Sequence, residues 1–400
     1  MSSPKIVAVR PVLLSAPYAH PEKNLEVRYH VRSGWRTCGM VEIALDNDVR
    51  GLGEGYLAVF APHVFRSIVE LVAPILIGRP IDDVGGLVRD LLLTTGYWSL
   101  QGAAQHVVSA LEIALLDAQA RTRGVPVYAL LGGAPRRPLD AYASGGDSLT
   151  PGFMAEEFDE IEKLGITLFK IRARRHQAAK AIWCQRRGAR SGVRIAVDMT
   201  QNLAIPSQTV DDVVAFVRAV EEGGGARPFF LEEALGPQEL GNYRALRRRL
   251  GTRVAGGEIV TTAAELCARL EAGCYDIAQP DATVIGGIRA VLDVCATADR
   301  CGAEVYVHCW GGPVGMMANY HAAIAGGGST VEWPLPRFPL REALVEQPWV
   351  LRDGQITLPD TPGLGVRLTP EIERDFAFRE DAVYHCRVDP ALLAPEADWS

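Results

Sequence analysis

Apolar and polar positions along the 400-residue chain fall into two textures. Up to about residue 130 the pattern is that of a small α+β unit. "CGMVEIAL" (38–45) alternates in strand fashion, and "DNDVRGLGEG" (46–55) supplies a turn and a return strand. From Pro62 to about Arg123 the spacing is helical. "AAQHVVSALEIALLDAQAR" (103–121) repeats apolar residues every three or four positions, and Gly124 and Pro126 end it.

From about Leu139 short apolar runs alternate with helical stretches. The runs are "LDAYAS", "TLFKIR", "VRIAVD", "PFFLEE", "RVAGGE", "YDIAQPD", "AEVYVH" and "STVEW". Stretches such as "MAEEFDEIEKLG", "DDVVAFVRAVEE" and "TTAAELCARLEAG" lie between them, the last with a threonine as N-cap. Alternating β and α predicts a parallel sheet. Eight units over roughly 200 residues predict a closed (β/α)8 barrel of the TIM type, with a doubly wound open sheet as the alternative. The predicted division is an N-terminal α+β domain over 1–130, a barrel over 131–345 and a C-terminal segment over 346–400.

Most runs end on an ionisable residue. Run two ends in Lys170-Ile171-Arg172. The later runs end on Asp198, Glu232 (with Glu233 behind it), Glu258, Asp281, His308 and Glu332. Each is separated from the next by about one βα unit. In a barrel these side chains converge at the C-terminal mouth, where such folds do their chemistry. Three neighbouring strands then bring Asp198, Glu232 and Glu258 to one rim. Three unpaired carboxylates repel and raise one another's pKa, and a hard divalent cation relieves this. Oxygen-only ligands select Mg²⁺, with Mn²⁺ also fitting. Alternation leaves Glu232 and Glu233 both open as the ligand from run four.

Lys170 and Arg172, two apart on one strand, share a face. Lys170 can act as a base if neighbouring positive charge lowers its pKa; Arg172 stays protonated and can bind a carboxylate or stabilise developing negative charge. Asp281 and His308 lie on neighbouring runs, where the carboxylate can hold one imidazole nitrogen and leave the other for acid/base work. Glu332, if protonated, can donate to an enolate oxygen. Together these groups suit removal of a proton α to a metal-bound carboxylate, giving an enediolate.

Composition narrows the partners. The net charge is −7 and the pI about 5.7, and the densest basic stretch, "RALRRRL" (244–250), reads as a solvated helix face, so nucleic acid is not expected. No apolar stretch reaches about 18 residues, so no membrane span is expected, and the N-terminus has no apolar leader segment. Eight scattered cysteines without a CxxC pair read as reduced thiols of a cytoplasmic protein.

These motifs resemble the enolase superfamily, specifically its mandelate racemase subgroup, over nearly the whole chain. "FKIR" is similar to the second-strand basic motif. "VDMTQ", "FLEEALGP" and "GGE" resemble the three metal-ligand strands, "QPDATVIGGI" and "YVHCWGG" the Asp–His dyad, and "VEWP" the final-strand glutamate. "SALEIALLDAQARTRGVPVYALLGG" and "PGLGVRLTPE" resemble the segments linking capping domain and barrel. Two positions depart from the pattern: the second strand often reads Lys-x-Lys where this chain has Arg172, and Thr200 stands where an asparagine is common. The resemblance implies an N-terminal capping domain whose loops set specificity. Here these are 18–36 and 53–60, with Tyr18, His20, His30, Arg32, Trp35 and Tyr56 as substrate-contact candidates, and Thr200 beside the metal.

The resulting expectation is an acid-sugar dehydratase, a Mg²⁺-dependent lyase taking an aldonate or aldarate to a 2-keto-3-deoxy acid in carbohydrate acid catabolism. Lys170 or His308 takes the C2 proton, and His308 protonates the departing hydroxyl. A racemase, epimerase or lactone cycloisomerase on the same intermediate is the runner-up, and a non-catalytic metal- or ligand-binding protein of the same fold is the alternative outside enzymes. The expected partner is a small-molecule carboxylate, and the resemblance implies a homo-oligomer, dimer or octamer.

Overall fold

The computed structural model describes residues 3–23, 27, 30–31, 33–133, 138–148, 150–201, 206–385 and 399. β1 (Ile6–Pro17), β2 (Trp35–Leu45) and β3 (Arg50–Glu54) form an antiparallel sheet in that order. Three long helices follow: α1 (Pro62–Leu76), α2 (Val84–Ser99) and α3 (Ala103–Arg123). The alternation in 38–45 implies one solvated face. Instead nearly all of β2 is buried, because α1, α3 and residues 380–382 pack against it.

The periodicity of α3 implies one apolar face, yet it is buried almost all round. β3 lies directly on it. A Cβ at Gly53 would stand 1.9 Å from the Ala110 carbonyl oxygen, and one at Gly51 2.2 Å from that of Ala114, so only glycine admits this approach. The buried polar groups of α3 are spent on joining units: Asp117 accepts from the Leu52 and Leu364 amides at 2.9 and 2.7 Å, and Glu112 accepts from the Ile288 amide at 2.9 Å.

Eight parallel strands close the barrel: β4 (Leu139–Ser144), β5 (Leu168–Arg172), β6 (Arg194–Asp198), β7 (Phe230–Glu232), β8 (Arg253–Gly256), β9 (Ile277–Ala278), β10 (Glu304–Val307) and β11 (Thr330–Pro334), with β11 pairing back to β4. The helices between them are α4 (Pro151–Lys163), α5 (Ala178–Ala189), α6 (Val210–Glu222), α7 (Leu240–Arg249), α8 (Ala263–Glu271), α9 (Ile288–Cys301) and α10 (Pro313–Ala325). Thr262 is the N-cap of α8, its hydroxyl accepting from the Glu265 amide at 3.2 Å. A hairpin of β12 (Val350–Arg352) and β13 (Gln355–Thr357) adds antiparallel to β4. The chain then returns to the first sheet, where Ala377 bridges Leu14 and Glu373 pairs with Arg10 at 2.8 Å.

Inside the barrel, Tyr142, Leu168, Ala196, Phe230, Ala255, Ile277 and Tyr306 form a separate apolar layer. Strand alternation then sets what stands above it. Lys170 follows Leu168, Asp198 follows Ala196 and Glu232 follows Phe230, each two residues on and on the same face. No helix among the described residues is long and apolar enough to cross a membrane.

Candidate active site

The mouth of the barrel holds a buried network of acids and bases. Lys170 is 1% exposed and its Nζ pairs with Glu232 and, at 2.9 Å, with Glu332 Oε1. Arg172 Nε lies 3.4 Å from Asp198 Oδ2, Nη1 lies 2.8 Å from Asp147 Oδ2, and the guanidinium stacks on the Trp310 ring at 4.2 Å. His308 Nδ1 is 2.9 Å from Asp281 Oδ2, and its Nε2 is 3.3 Å from Glu258 and 3.9 Å from Glu332 Oε2. The structure thus brings together Lys170, Arg172, Asp198, Glu232, Glu258, Asp281, His308 and Glu332. Glu258, Asp281 and His308 lie one to three residues beyond their strands, and Glu332 sits in the middle of β11.

Glu232 and Glu233 part company. Glu232 joins Lys170 and accepts from Gln279. Glu233 adopts φ +41° and turns away, accepting from the Gly257 amide at 2.7 Å beside Tyr243.

The charges follow from this packing. Burial raises the Asp198, Glu232 and Glu233 carboxyls, and repulsion from Glu258 adds to it for all three. Burial works against a charged His308, but Glu258, Glu332 and Asp281 push its pKa up to about 10. Burial would also neutralise Glu332; Lys170 and His308 override it and hold it down at about 2. The condition under which Glu332 could donate to an enolate oxygen, a protonated carboxyl, is therefore not met in this arrangement, since a carboxylate between two cations cannot donate a hydrogen bond. Lys170 differs from expectation as well. Burial disfavours its charge, yet Glu232 and Glu332 keep it protonated.

Among the described residues no three acidic, histidine or cysteine side chains are gathered to hold an ion as they lie. Asp198, Glu232 and Glu258 are each turned instead to a cation of the chain. Their chemistry nevertheless suits a hard divalent cation: three oxygen donors from consecutive strands, Asp198 and Glu232 buried and Glu258 half-buried, close enough to repel one another.

The capping candidates divide. Tyr56 turns its ring edge to His308 at 6.3 Å. Tyr18 is buried and its hydroxyl accepts from Arg36 at 2.9 Å. His30 stacks on Tyr384 and Trp35 under Arg379, so both are covered by the C-terminal segment rather than aimed at the mouth. His20 is exposed beside Glu22, and Arg32 lies outside the described residues. The Thr200 amide donates to Asp198 at 2.7 Å, and its hydroxyl is buried with no hydrogen-bond partner among the described residues.

Gln279, Asp147, Trp310, Asn319 and Arg36 were not singled out by sequence reasoning. Three had a readable signal. Gln279 and Trp310 stand two residues from Asp281 and His308. Asp147 follows β4 by three residues, as Asp281 follows β9, so the run-end rule extended to the first strand would have found it.

Comparison with known proteins bears on this arrangement. Residues 154–372 match the enolase C-terminal domain-like family model, and 30–132 match the mandelate racemase / muconate lactonizing enzyme N-terminal domain. The chain belongs to the enolase superfamily. It is similar to muconate cycloisomerase 1 of Rhodococcus opacus, 27% identical over 92% of this chain and 97% of that protein. L-rhamnonate dehydratase of Saccharopolyspora erythraea is 29% identical over 85% and 86%. The crystal structure of 3,6-anhydro-D-galactonate cycloisomerase from Zobellia galactanivorans superposes with a TM-score of 0.80 at 23% identity, covering 93% of this chain and 99% of that one, a likeness of fold. As a superfamily member the chain is an enzyme whose relatives are lyases and isomerases.

Proposed function

We propose that this enzyme dehydrates a sugar acid, an aldonate or aldarate, to the 2-keto-3-deoxy acid. The supporting observation is a mouth with two different proton carriers, Lys170 and the Asp281-held His308, separated by one carboxylate, Glu332. Asp198, Glu232 and Glu258 would hold Mg²⁺ or Mn²⁺. When bound, the cation supplies positive charge against the substrate carboxylate and the negative charge that grows on it as the α-proton leaves.

The chain's own groups do the rest. Lys170 accepts the C2 proton; Glu232 is the strongest of the charges holding the Lys170 proton, and that hold would weaken if Glu232 served as a metal ligand. Arg172, fixed between Asp147 and Trp310, stays positive and binds the substrate's negative end. His308 as imidazolium gives its Nε2 proton to the departing 3-hydroxyl, so water leaves and the enol product becomes the ketone. Glu332 orients both carriers by its charge. Tyr56 closes the His308 side, in keeping with a polar carboxylate substrate.

A lactone cycloisomerase is the second reading, supported by the Rhodococcus opacus relative that spans the chain. The test is a screen of mono- and diacid sugars with Mg²⁺. New carbonyl absorbance with loss of the 3-hydroxyl supports dehydration; an isomer with its oxygens intact supports the second reading.

A further inference from the structure

The capping sheet reaches the arginine of the mouth through one buried residue. Arg36, at the start of β2, is 3% exposed. Its Nη1 donates to the Tyr18 hydroxyl at 2.9 Å, just past β1, and its Nη2 donates to the Trp310 carbonyl. The Trp310 ring carries the Arg172 guanidinium at 4.2 Å, a spacing typical of a cation–π stack. Trp310 is also two residues after His308 in the same loop, whose Cys309 amide donates to Glu332 at 2.6 Å. A second capping group grips this loop farther on: Glu54, ending β3, accepts from the Gly312 and Gly315 amides.

We infer that Arg36 is a positioning residue: through the Trp310 carbonyl it sets the ring on which Arg172 stacks, so that seating of the capping domain fixes the guanidinium that meets substrate. The physical reason lies in the geometry of Arg172. Asp147 accepts a hydrogen bond from Nη1 and Asp198 pairs with Nε by charge alone, and both are acids that a cation or substrate can draw away. The Trp310 ring is the one uncharged contact among these, and it lies against the guanidinium carbon. Arg36 supplies rigidity that a lysine would not, because its planar fork reaches two acceptors at once. This inference rests on the assignment of Arg172 to the substrate's negative end.

The test uses the full-length chain carrying Arg36→Met, Trp310→Leu and Trp310→Phe, each alone and combined with Arg172→Lys. Misplacing Arg172 by about 1 Å is expected to lower turnover about 10²-fold in Arg36→Met and Trp310→Leu, while Trp310→Phe keeps activity within about tenfold. In the Arg172→Lys background Arg36→Met should add little, since it acts through that side chain. Losses that multiply across the two sites would overturn the inference. The crystal structure of Arg36→Met gives an answer that needs no substrate. The inference expects the Arg172 guanidinium to leave the Trp310 face, and an unmoved stack would refute it. Should Arg36→Met not fold, Tyr18→Phe removes only the hydroxyl that holds Arg36 and carries the same two readouts. If the wild type acts on no sugar acid, the dehydratase reading fails, and the crystal structure still decides this one.

Discussion

Replacing Asp281 by asparagine removes one charge and almost no volume, and the surrounding hydrogen bonds dictate the outcome. Asp281 Oδ1 accepts from the Thr283 amide at 2.8 Å and from Asn319 Nδ2 at 2.9 Å. The Asn319 amide cannot flip, because its Oδ1 accepts from the Ala282 amide at 2.8 Å. Two fixed donors therefore demand an oxygen at that position, and the introduced amide must turn its NH2 to His308 Nδ1. His308 then accepts there and can no longer be an imidazolium. The lost attraction across 2.9 Å is worth up to about 6 kcal/mol at an effective dielectric of about 20. General acid catalysis contributes about 10²–10⁴ in rate, or roughly 3–5 kcal/mol, so the loss of this one charge is large enough to remove it. Turnover of the substrate found in the acid-sugar screen should fall by about 10²–10⁴-fold. The Tm should fall far less, since the Thr283 and Asn319 donors keep their acceptor and His308 Nδ1 gains a donor. Activity within a few-fold of wild type would refute the placement of His308 as the acid.

Other outcomes follow from the same contacts. Glu232→Gln should abolish Mg²⁺ binding in titration calorimetry and Glu233→Gln should keep it, because only Glu232 faces the Lys170 cluster; the reverse would exchange their roles. Gly53→Ala should destabilise by more than about 3 kcal/mol or prevent folding, as its Cβ would meet the backbone of α3. Gly152→Ala, with nothing within 4 Å, should be neutral or gain up to about 1 kcal/mol in urea unfolding. His321 is buried, with its pKa lowered to about 3 by that burial, and its Nδ1 accepts from the Tyr128 amide at 3.1 Å. It is neutral when folded but protonates below about 6.5 when unfolded, so it costs stability as pH falls from about 6.5 toward 3. Between pH 6.5 and 5 the wild type should lose up to about 1.4 kcal/mol per pH unit more than His321→Asn; parallel curves would contradict this.

What the sequence made legible was what repeats. Eight apolar runs, seven of them with an ionisable residue at or near the end, mark a barrel, because each strand must bury its run and release its polar end at one rim. Asp198, Glu258, Asp281 and His308 were readable on that ground. The Glu232/Glu233 choice was not, since "PFFLEE" offers a phenylalanine in either phase and only packing puts Phe230 inside. The state of Glu332 depends on two cations that the fold alone brings to it. Contacts between the two sheets were also hidden. Arg36 meets Trp310 across 274 residues and Glu54 meets Gly312 across 258, distances over which no local pattern carries information. β2 read as half-exposed because its covering helices lie elsewhere in the chain.

The most direct test of α-proton removal followed by loss of water is proton NMR of the acid-sugar library, incubated with enzyme and Mg²⁺ in D₂O. The account predicts a 2-keto-3-deoxy acid carrying solvent deuterium at C3. Deuterium at C2 on an intact carbon skeleton, with no loss of water, would contradict it and make the enzyme an isomerase.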